Sequence, residues 1–323
     1  MTYIDFHNLS NHKLPFYLAA EEYVARNLDG EDYFFMWQVP PTVIFGRNQV
    51  VQKEVNLDYC RAKHIEFYRR KSGGGCVYAD FDNIMFSYIT RGNNVQSIFR
   101  SYTYKVADIL RKLGIDAKST GRNDILIGEK KVSGNAFYCV SGHSIVHGTM
   151  LYDTNIENML HAITPSSIKL DAKGVESVRT RVTTLCQHIS MPIDEFKQYV
   201  RTALCDSSKI LEEEDIKKIR EIEQAYYDEN WVFGKNPLAT ITKTTHIEEV
   251  GELEVSMDIK GNKIKSLDLH GDFFPLADID SHLIQLLVGK EYQREKIEEA
   301  LREIDTTTII RHLTKEKLIN LLF

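Results

Sequence analysis

The chain has 323 residues, 43% hydrophobic and 27% charged, with a net charge of −6. It is long enough to bury its own core, as one large domain with a small one or as two medium ones, and it carries no internal repeat or low-complexity tract. The mildly acidic balance excludes a broad nucleic-acid-binding surface.

Cys60, Cys76, Cys139, Cys186 and Cys205 are widely spaced, with no C-x-x-C pair, which argues against a zinc site or a disulfide framework. The first residues lack a basic stretch leading into an apolar one, and no apolar run reaches the length of a membrane span. These features predict a reducing, cytoplasmic setting without membrane partners.

In chain order, Phe16, Ala19, Ala20, Tyr23 and Val24 form one apolar stripe and predict a helix from Leu14 to Asn27. Tyr33–Trp37 and Thr42–Phe45 predict strands, broken by Pro40-Pro41. The polar triplet Arg47-Asn48-Gln49 after Gly46 is expected to be a solvated turn. Ile65–Tyr68 and Ile84–Ile89 predict two more strands around the most unusual stretch of the chain, Arg69-Arg70-Lys71-Ser72-Gly73-Gly74-Gly75-Cys76-Val77-Tyr78.

Three consecutive glycines are entropically costly to order, so a bare backbone must be needed there. Successive N–H groups can cradle an anion, and the basic residues and serine beside them add donors suited to a phosphate or carboxylate. The segment is not a P-loop, because no Gly-Lys-Ser/Thr follows and no helix begins there.

Val95–Leu113 carries a second helical stripe that ends at Gly114. A hairpin is expected around Gly128-Glu129, preceded by Gly121-Arg122-Asn123-Asp124 and followed by Lys130-Lys131-Val132-Ser133-Gly134. Side chains alternate along a strand, so Lys130 and Lys131 should face opposite sides and only one can serve a site. Further strands are expected over 136–140 and 144–152.

Short strands with tight connections imply a largely antiparallel sheet flanked by helices, an α+β domain rather than a Rossmann fold. Residues 155–232 read as mainly helical, with the acidic run 212–215 at a helix start. A break is expected between Trp231 and Glu249, marked by Gly234 and Pro237. Then follows a small α/β module with a hairpin turn at Gly261-Asn262 and helices near 278–288, 291–304 and 314–322. The expected division is residues 1–245 as the larger domain, where the candidate chemistry lies, and 246–323 as the smaller.

Taken together, five ordered motifs resemble the lipoate–protein ligases, within the superfamily that also holds biotin ligases and octanoyl transferases. They are the runs 41–49 and 69–78, Gly121–Asp124, Lys131-Val132-Ser133-Gly134-Asn135-Ala136 and His147-Gly148-Thr149. The small C-terminal module is similar to the ligases' accessory domain.

The resemblance implies a two-step reaction. Lipoate attacks the α-phosphate of ATP, and a lysine of an apo lipoyl carrier domain then takes the acyl group and releases AMP. These carriers would be 2-oxoacid dehydrogenase or glycine cleavage H proteins. Joining a carboxylate to a triphosphate requires cationic and N–H donors, which Arg70 and the backbone of residues 73–78 can supply. The resemblance makes Arg70 and Lys131 the catalytic pair, with Lys131 bridging acyl carbonyl and phosphate. It assigns Arg70, Gly75, Cys76, Val77, Tyr78, Asn83, Asn123, Asp124 and Lys131 to ATP and the adenylate. It assigns Trp37, Ser72, Gly73, Gly74, Val77, Lys131, His147 and Gly148 to lipoate or octanoate, and Asp124 to Mg²⁺.

Two positions depart from the family pattern. Ala79 stands where a histidine is common, and Asp82 where a glycine is. Three rival readings follow: a transferase working through a thioester at Cys139 or Cys76, a lipoate- or nucleotide-binding protein without turnover, and a biotin ligase.

Overall fold

In a computed structural model of the chain, residues 1–6, 12–30, 32–92, 94–121, 123–163, 181–233, 241–260 and 262–323 are described. Arg122, Gly234, Pro237 and Gly261, singled out in the sequence, lie outside them. The chain divides into two compact units. One comprises 1–45, 51–70 and 76–232; the other comprises 46–50, 71–75 and 233–323.

The first unit contains, in order, β1 (Thr2–Asp5), α1 (Leu14–Asn27), β2 (Asp32–Trp37), β3 (Thr42–Phe45), α2 (Val51–Glu54), α3 (Leu57–Ala62), β4 (Glu66–Arg69), β5 (Val77–Ala79), β6 (Asn83–Arg91) and α4 (Val95–Lys112). It continues through β7 (Ala117–Ser119), β8 (Asp124–Ile127), β9 (Lys130–Val140), β10 (His143–Leu151), α5 (Ile156–Ala162), α6 (Ile193–Leu204), β11 (Ser207–Ile210), α7 (Glu213–Glu223) and α8, which starts at Glu229.

Eight strands form one mixed sheet in the order β11-β1-β2-β6-β10-β9-β8-β7, antiparallel everywhere except at the two β1 pairings. A second sheet, β4-β3-β5, has β3 and β4 parallel. The α+β reading holds. The expected hairpin strand and the run 136–140 are one continuous strand, because Gly134 and Asn135 stay paired to β10 through Thr149 and Gly148.

Register sorts the side chains of the large sheet onto two faces. On one face, Phe137 meets Phe99 of α4 at 5.4 Å, and Tyr88 stacks on Tyr102 of α4 at 5.3 Å. The other face packs on α1. Pro15 sits in the first turn of this helix, where its missing N–H costs nothing. The apolar stripe predicts one buried face, yet Leu14 to Ala25 are all buried, including Glu21 and Glu22. A charged carboxylate is rarely buried without partners, so this helix already points to a polar network inside the fold. At α7, Glu212 and Asp215 form a reciprocal capping box, which explains the acidic run as a helix start.

The second unit is built on an antiparallel meander, β12 (Ile241–Ile247), β13 (Gly251–Lys260) and β14 (Lys263–Gly271). Its core includes Leu253, Val255, Met257, Leu283, Ile297, Ile310 and Leu318, with helices α9 (Arg294–Ala300) and α10 (Lys315–Leu322) contributing. Asn262 takes the left-handed conformation (φ 61°) that the β13–β14 turn needs.

Candidate active site

Lys131 stands at the start of β9, and its aim is set by a bulge. Asp124 pairs with Gly134 and Ile125 with Ser133, but Leu126 pairs with Lys131, so β9 holds one extra residue, Val132. Regular alternation would put Lys131 on the side of Ser133, Asn135 and Phe137, facing α4. One extra residue moves it to the opposite side. Lys131 therefore shares the α1 face with Gly134, Ala136 and Tyr138.

Its Nζ lies 2.8 Å from Asp124 Oδ1, both groups being about a third exposed. The contact is an ion pair by distance, and Asp124 Oδ1 accepts no hydrogen bond among the described residues. A Cβ at Gly134 would come 2.8 Å from Lys131 Nζ, so the glycine of the Lys-Val-Ser-Gly motif is bare because the lysine lies across it. Asn135 donates from both its main-chain N–H and its side-chain amide to the Asn123 carbonyl, at 2.8 and 3.1 Å. A Cβ at Gly148 would overlap the Asn135 side chain. Asn123, Asp124, Lys131, Gly134, Asn135 and Gly148 thus form one interlocked group.

Two rows further along the same face lies a buried polar network. Trp37 stacks on Tyr17 at 4.9 Å and donates through Nε1 to Ser87 Oγ at 2.9 Å. Ser87 donates to Glu21 at 2.5 Å, His147 Nδ1 lies 2.9 Å from the same carboxylate, and Tyr138 donates to it at 3.3 Å. Trp37, Ser87, Glu21 and His147 are all almost wholly buried. Register explains the meeting: Ser87 is directly opposite His147 on β10 and Phe35 on β2. Glu21, Ser87 and Tyr138 escaped the sequence reading. The available signal was a pair of glutamates inside an otherwise apolar helix.

Arg70 is 5% exposed, and its guanidinium donates to the Ile44 carbonyl at 3.0 Å. Burial lowers its pKa to about 10, which still leaves it charged at neutral pH. Its neighbour Arg69 is also buried, stacked on Phe45 at 4.7 Å and donating to the carbonyls of Trp231 and Val232.

Asn83, at the start of β6, is fully buried, and its Oδ1 has no hydrogen-bond partner among the described residues. Val77 and Tyr78 lie on β5 opposite Ile44 and Val43. Ala79, at the position where the family often has histidine, is fully buried in the apolar core with Trp37 and Tyr17.

Ser72, Gly73, Gly74 and Gly75 group with the second unit. Gly74 has φ +84° and donates its N–H to the Phe273 carbonyl at 3.0 Å, and a Cβ at Gly73 would run into that carbonyl and the Pro275 ring. Two of the three glycines therefore already have a packing reason. Nearby, Gln49 is buried rather than solvated, its side chain accepting the Gly46 N–H at 2.7 Å.

Of the two candidate thioester nucleophiles, Cys76 is not activated. Burial pushes the Cys76 thiol well above its usual range, with the Glu54 charge acting the same way and Arg70 opposing. Cys139 is exposed, with Ser144 Oγ 3.7 Å from its sulfur. Thioester chemistry needs a thiolate. Among the described residues no cluster of three His, Cys, Asp or Glu side chains could hold a metal alone.

Lys131 lying across a glycine, on the same sheet face as a buried aromatic and polar network, is an arrangement suited to acyl activation. Comparison with known proteins makes the class specific. Residues 14–205 match the lipoyl protein ligase A/B catalytic domain, and residues 236–322 match the bacterial lipoate protein ligase C-terminus. A lipoate–protein ligase 1 of Staphylococcus aureus is 34% identical over the full length of both chains. A bipartite lipoate protein ligase of Thermoplasma acidophilum, studied with its E2 lipoyl domain, superposes with a TM-score of 0.65 at 27% identity, covering 74% of this chain and 98% of that one. A lipoate-protein ligase A bound with ATP superposes with a TM-score of 0.61 at 25% identity, covering 72% of this chain and 98% of that one. The chain belongs to the lipoate–protein ligase family.

Proposed function

We propose that this ligase activates free lipoate, or octanoate, with ATP and passes the acyl group to a lysine of an apo lipoyl carrier domain, residues 1–245 carrying the chemistry and 246–323 serving as the accessory domain. The observation that carries the residue assignment is the β9 bulge. It turns Lys131 onto the sheet face that also bears Trp37 and His147. An acyl tail running along Trp37, Val77 and His147 would leave its carboxylate near Lys131 and Gly148.

In the first step a carboxylate oxygen attacks the α-phosphorus of ATP, and pyrophosphate leaves. Negative charge builds on the phosphoryl oxygens, and the ammonium of Lys131 and the guanidinium of Arg70 are the groups suited to neutralise it. In the second step the deprotonated amine of a carrier lysine attacks the acyl carbonyl, and AMP leaves. Lys131 then stabilises the tetrahedral oxyanion. The mixed anhydride hydrolyses in water, so the buried wall around Trp37 and Ser87 protects it.

Asn83 Oδ1, a buried acceptor without a partner among the described residues, could take a donor of the nucleotide. Cys76, Tyr78 and Asn123 complete the nucleotide side. Ser72, Gly73, Gly74 and Gly75 carry backbone N–H groups of the kind that suits a carboxylate or phosphate.

Asp124 fits Mg²⁺: it is a single carboxylate with an oxygen that accepts no hydrogen bond, and Mg²⁺ in such sites takes most of its ligands from phosphates and water. When bound, the ion would shield the triphosphate. Lys131 would then exchange Asp124 for the anionic substrate. No helix among the described residues is long and apolar enough to cross a membrane, and the reading places the protein in the cytoplasm.

The direct test is mass spectrometry of a purified apo carrier domain incubated with the protein, ATP and alternative acids. Acylation of one lysine that requires ATP is the expected result. Acylation without ATP from an acyl thioester would favour the transferase, and pyrophosphate release with no acylated carrier would remove the transfer half of the reading.

A further inference from the structure

Lys131 occupies an awkward place in the sheet. It pairs with Leu126 of β8 at the edge of the bulge, and on its other side the β9–β10 ladder ends at Ser133 opposite Met150. Its carbonyl therefore lies beyond the reach of β10. A different segment covers it. Val182 forms a parallel bridge with Lys131, and the Thr183 N–H donates to the Lys131 carbonyl at 2.9 Å.

Thr183 is 3% exposed, and its side chain ties the following turn back on itself. Its Oγ1 lies 2.9 Å from His188 Nε2 and donates to Gln187 Oε1 at 3.3 Å. The turn is anchored a second time where the Cys186 N–H donates to the Tyr152 carbonyl just past β10, and Leu185 is fully buried. One threonine thus joins the backbone of the lysine to a small folded clamp.

We infer that Thr183 is a positioning residue: through its N–H on the Lys131 carbonyl, held by its hydroxyl contacts to Gln187 and His188, it keeps the bulged lysine aimed across Gly134. The inference rests on the assignment of Lys131 as the catalytic cation. A reacting group displaced by about 1 Å can lose about a hundredfold in rate, and a bulged residue with an unpaired carbonyl is free to shift.

The test is Thr183→Val, which keeps the branched shape and removes the hydroxyl, with Thr183→Ser as the conservative control. Two readouts are needed. The first is lipoate-dependent ATP–pyrophosphate exchange. The second is the labelling rate of each lysine with acetic anhydride, followed by peptide mass spectrometry.

For Thr183→Val, kcat should fall about tenfold with both KM values little changed, Lys131 should label faster relative to the other lysines, and Thr183→Ser should behave like the parent. Unchanged Lys131 labelling overturns the inference, as does a rate loss that only follows a lowered melting temperature. Faster labelling with an unaltered kcat overturns instead the catalytic assignment of Lys131 beneath it.

Discussion

Lys131 Nζ and Asp124 Oδ1 sit 2.8 Å apart, held above the bare Cα of Gly134 by a single extra residue in β9. Both groups are about a third exposed, so the pair's net contribution to stability is small. In the proposed mechanism its significance lies in placement: a cation is kept beside a carboxylate that a phosphate would replace.

Replacing Lys131 with alanine should therefore leave the fold intact while abolishing lipoate-dependent ATP–pyrophosphate exchange. The melting temperature should stay within a few degrees of the parent, since a surface pair contributes about 1 kcal/mol or less. Parent-level exchange in this variant would disprove the mechanism.

The two glycines of the site should respond differently. Gly134→Ala puts a methyl group against the end of a flexible lysine, which can swing aside. It should cost about tenfold or more in kcat with little loss of stability. Gly148→Ala forces a methyl into the Asn135 amide, which is fixed by the Asn123 carbonyl. That variant should lose about 1–3 kcal/mol in urea unfolding. Equal effects of both variants on both measurements would contradict this division.

Asn83→Ala is expected to raise the KM for ATP about tenfold with only a small loss of stability, the amide's contact to Met85 Sδ being a weak one. Its Oδ1 has no partner to lose among the described residues, and an orphaned buried acceptor costs about 1–3 kcal/mol when left unsatisfied. Isothermal titration with ATP checks the affinity. An unchanged affinity would remove Asn83 from the nucleotide site.

Ser87→Ala should destabilise the fold by about 2 kcal/mol or more. It leaves the Trp37 indole N–H without its acceptor and takes a donor from the buried Glu21 carboxylate. The same change loosens the wall beside His147, so the preference between lipoate and octanoate should shift in competition assays. A variant with parent stability would mean that water replaces the hydroxyl at no cost.

Arg70→Met tests a functional group held at the expense of stability. Its folded pKa, about 10, lies below the ordinary guanidinium value, so the unfolded chain holds the proton more tightly. Stability should rise with pH only between those two values, and at neutral pH the buried cation is a constant cost. Arg70→Met should unfold at the same or higher urea concentration at pH 7, lose that alkaline dependence and fail to form the adenylate. A variant that ligates normally would reduce Arg70 to a packing residue.

The sequence by itself determined most of the secondary structure and the family. The helix over Leu14–Asn27 and the strand over Thr42–Phe45 follow from local periodicity and breakers, and they appear with those bounds. Motifs such as Lys131–Gly134 and His147–Thr149 are short and contiguous, so they can be read without a fold. Only the tertiary structure decided which way Lys131 points, because a bulge is a mismatch between two strands and neither strand alone records it. It also joined Glu21, Ser87 and His147, which are 66 and 126 residues apart from the glutamate along the chain. Side chains that meet by strand register and helix packing leave no local pattern. The same holds for Gly73, where the fold adds a packing reason for bareness in the Phe273 carbonyl and the Pro275 ring.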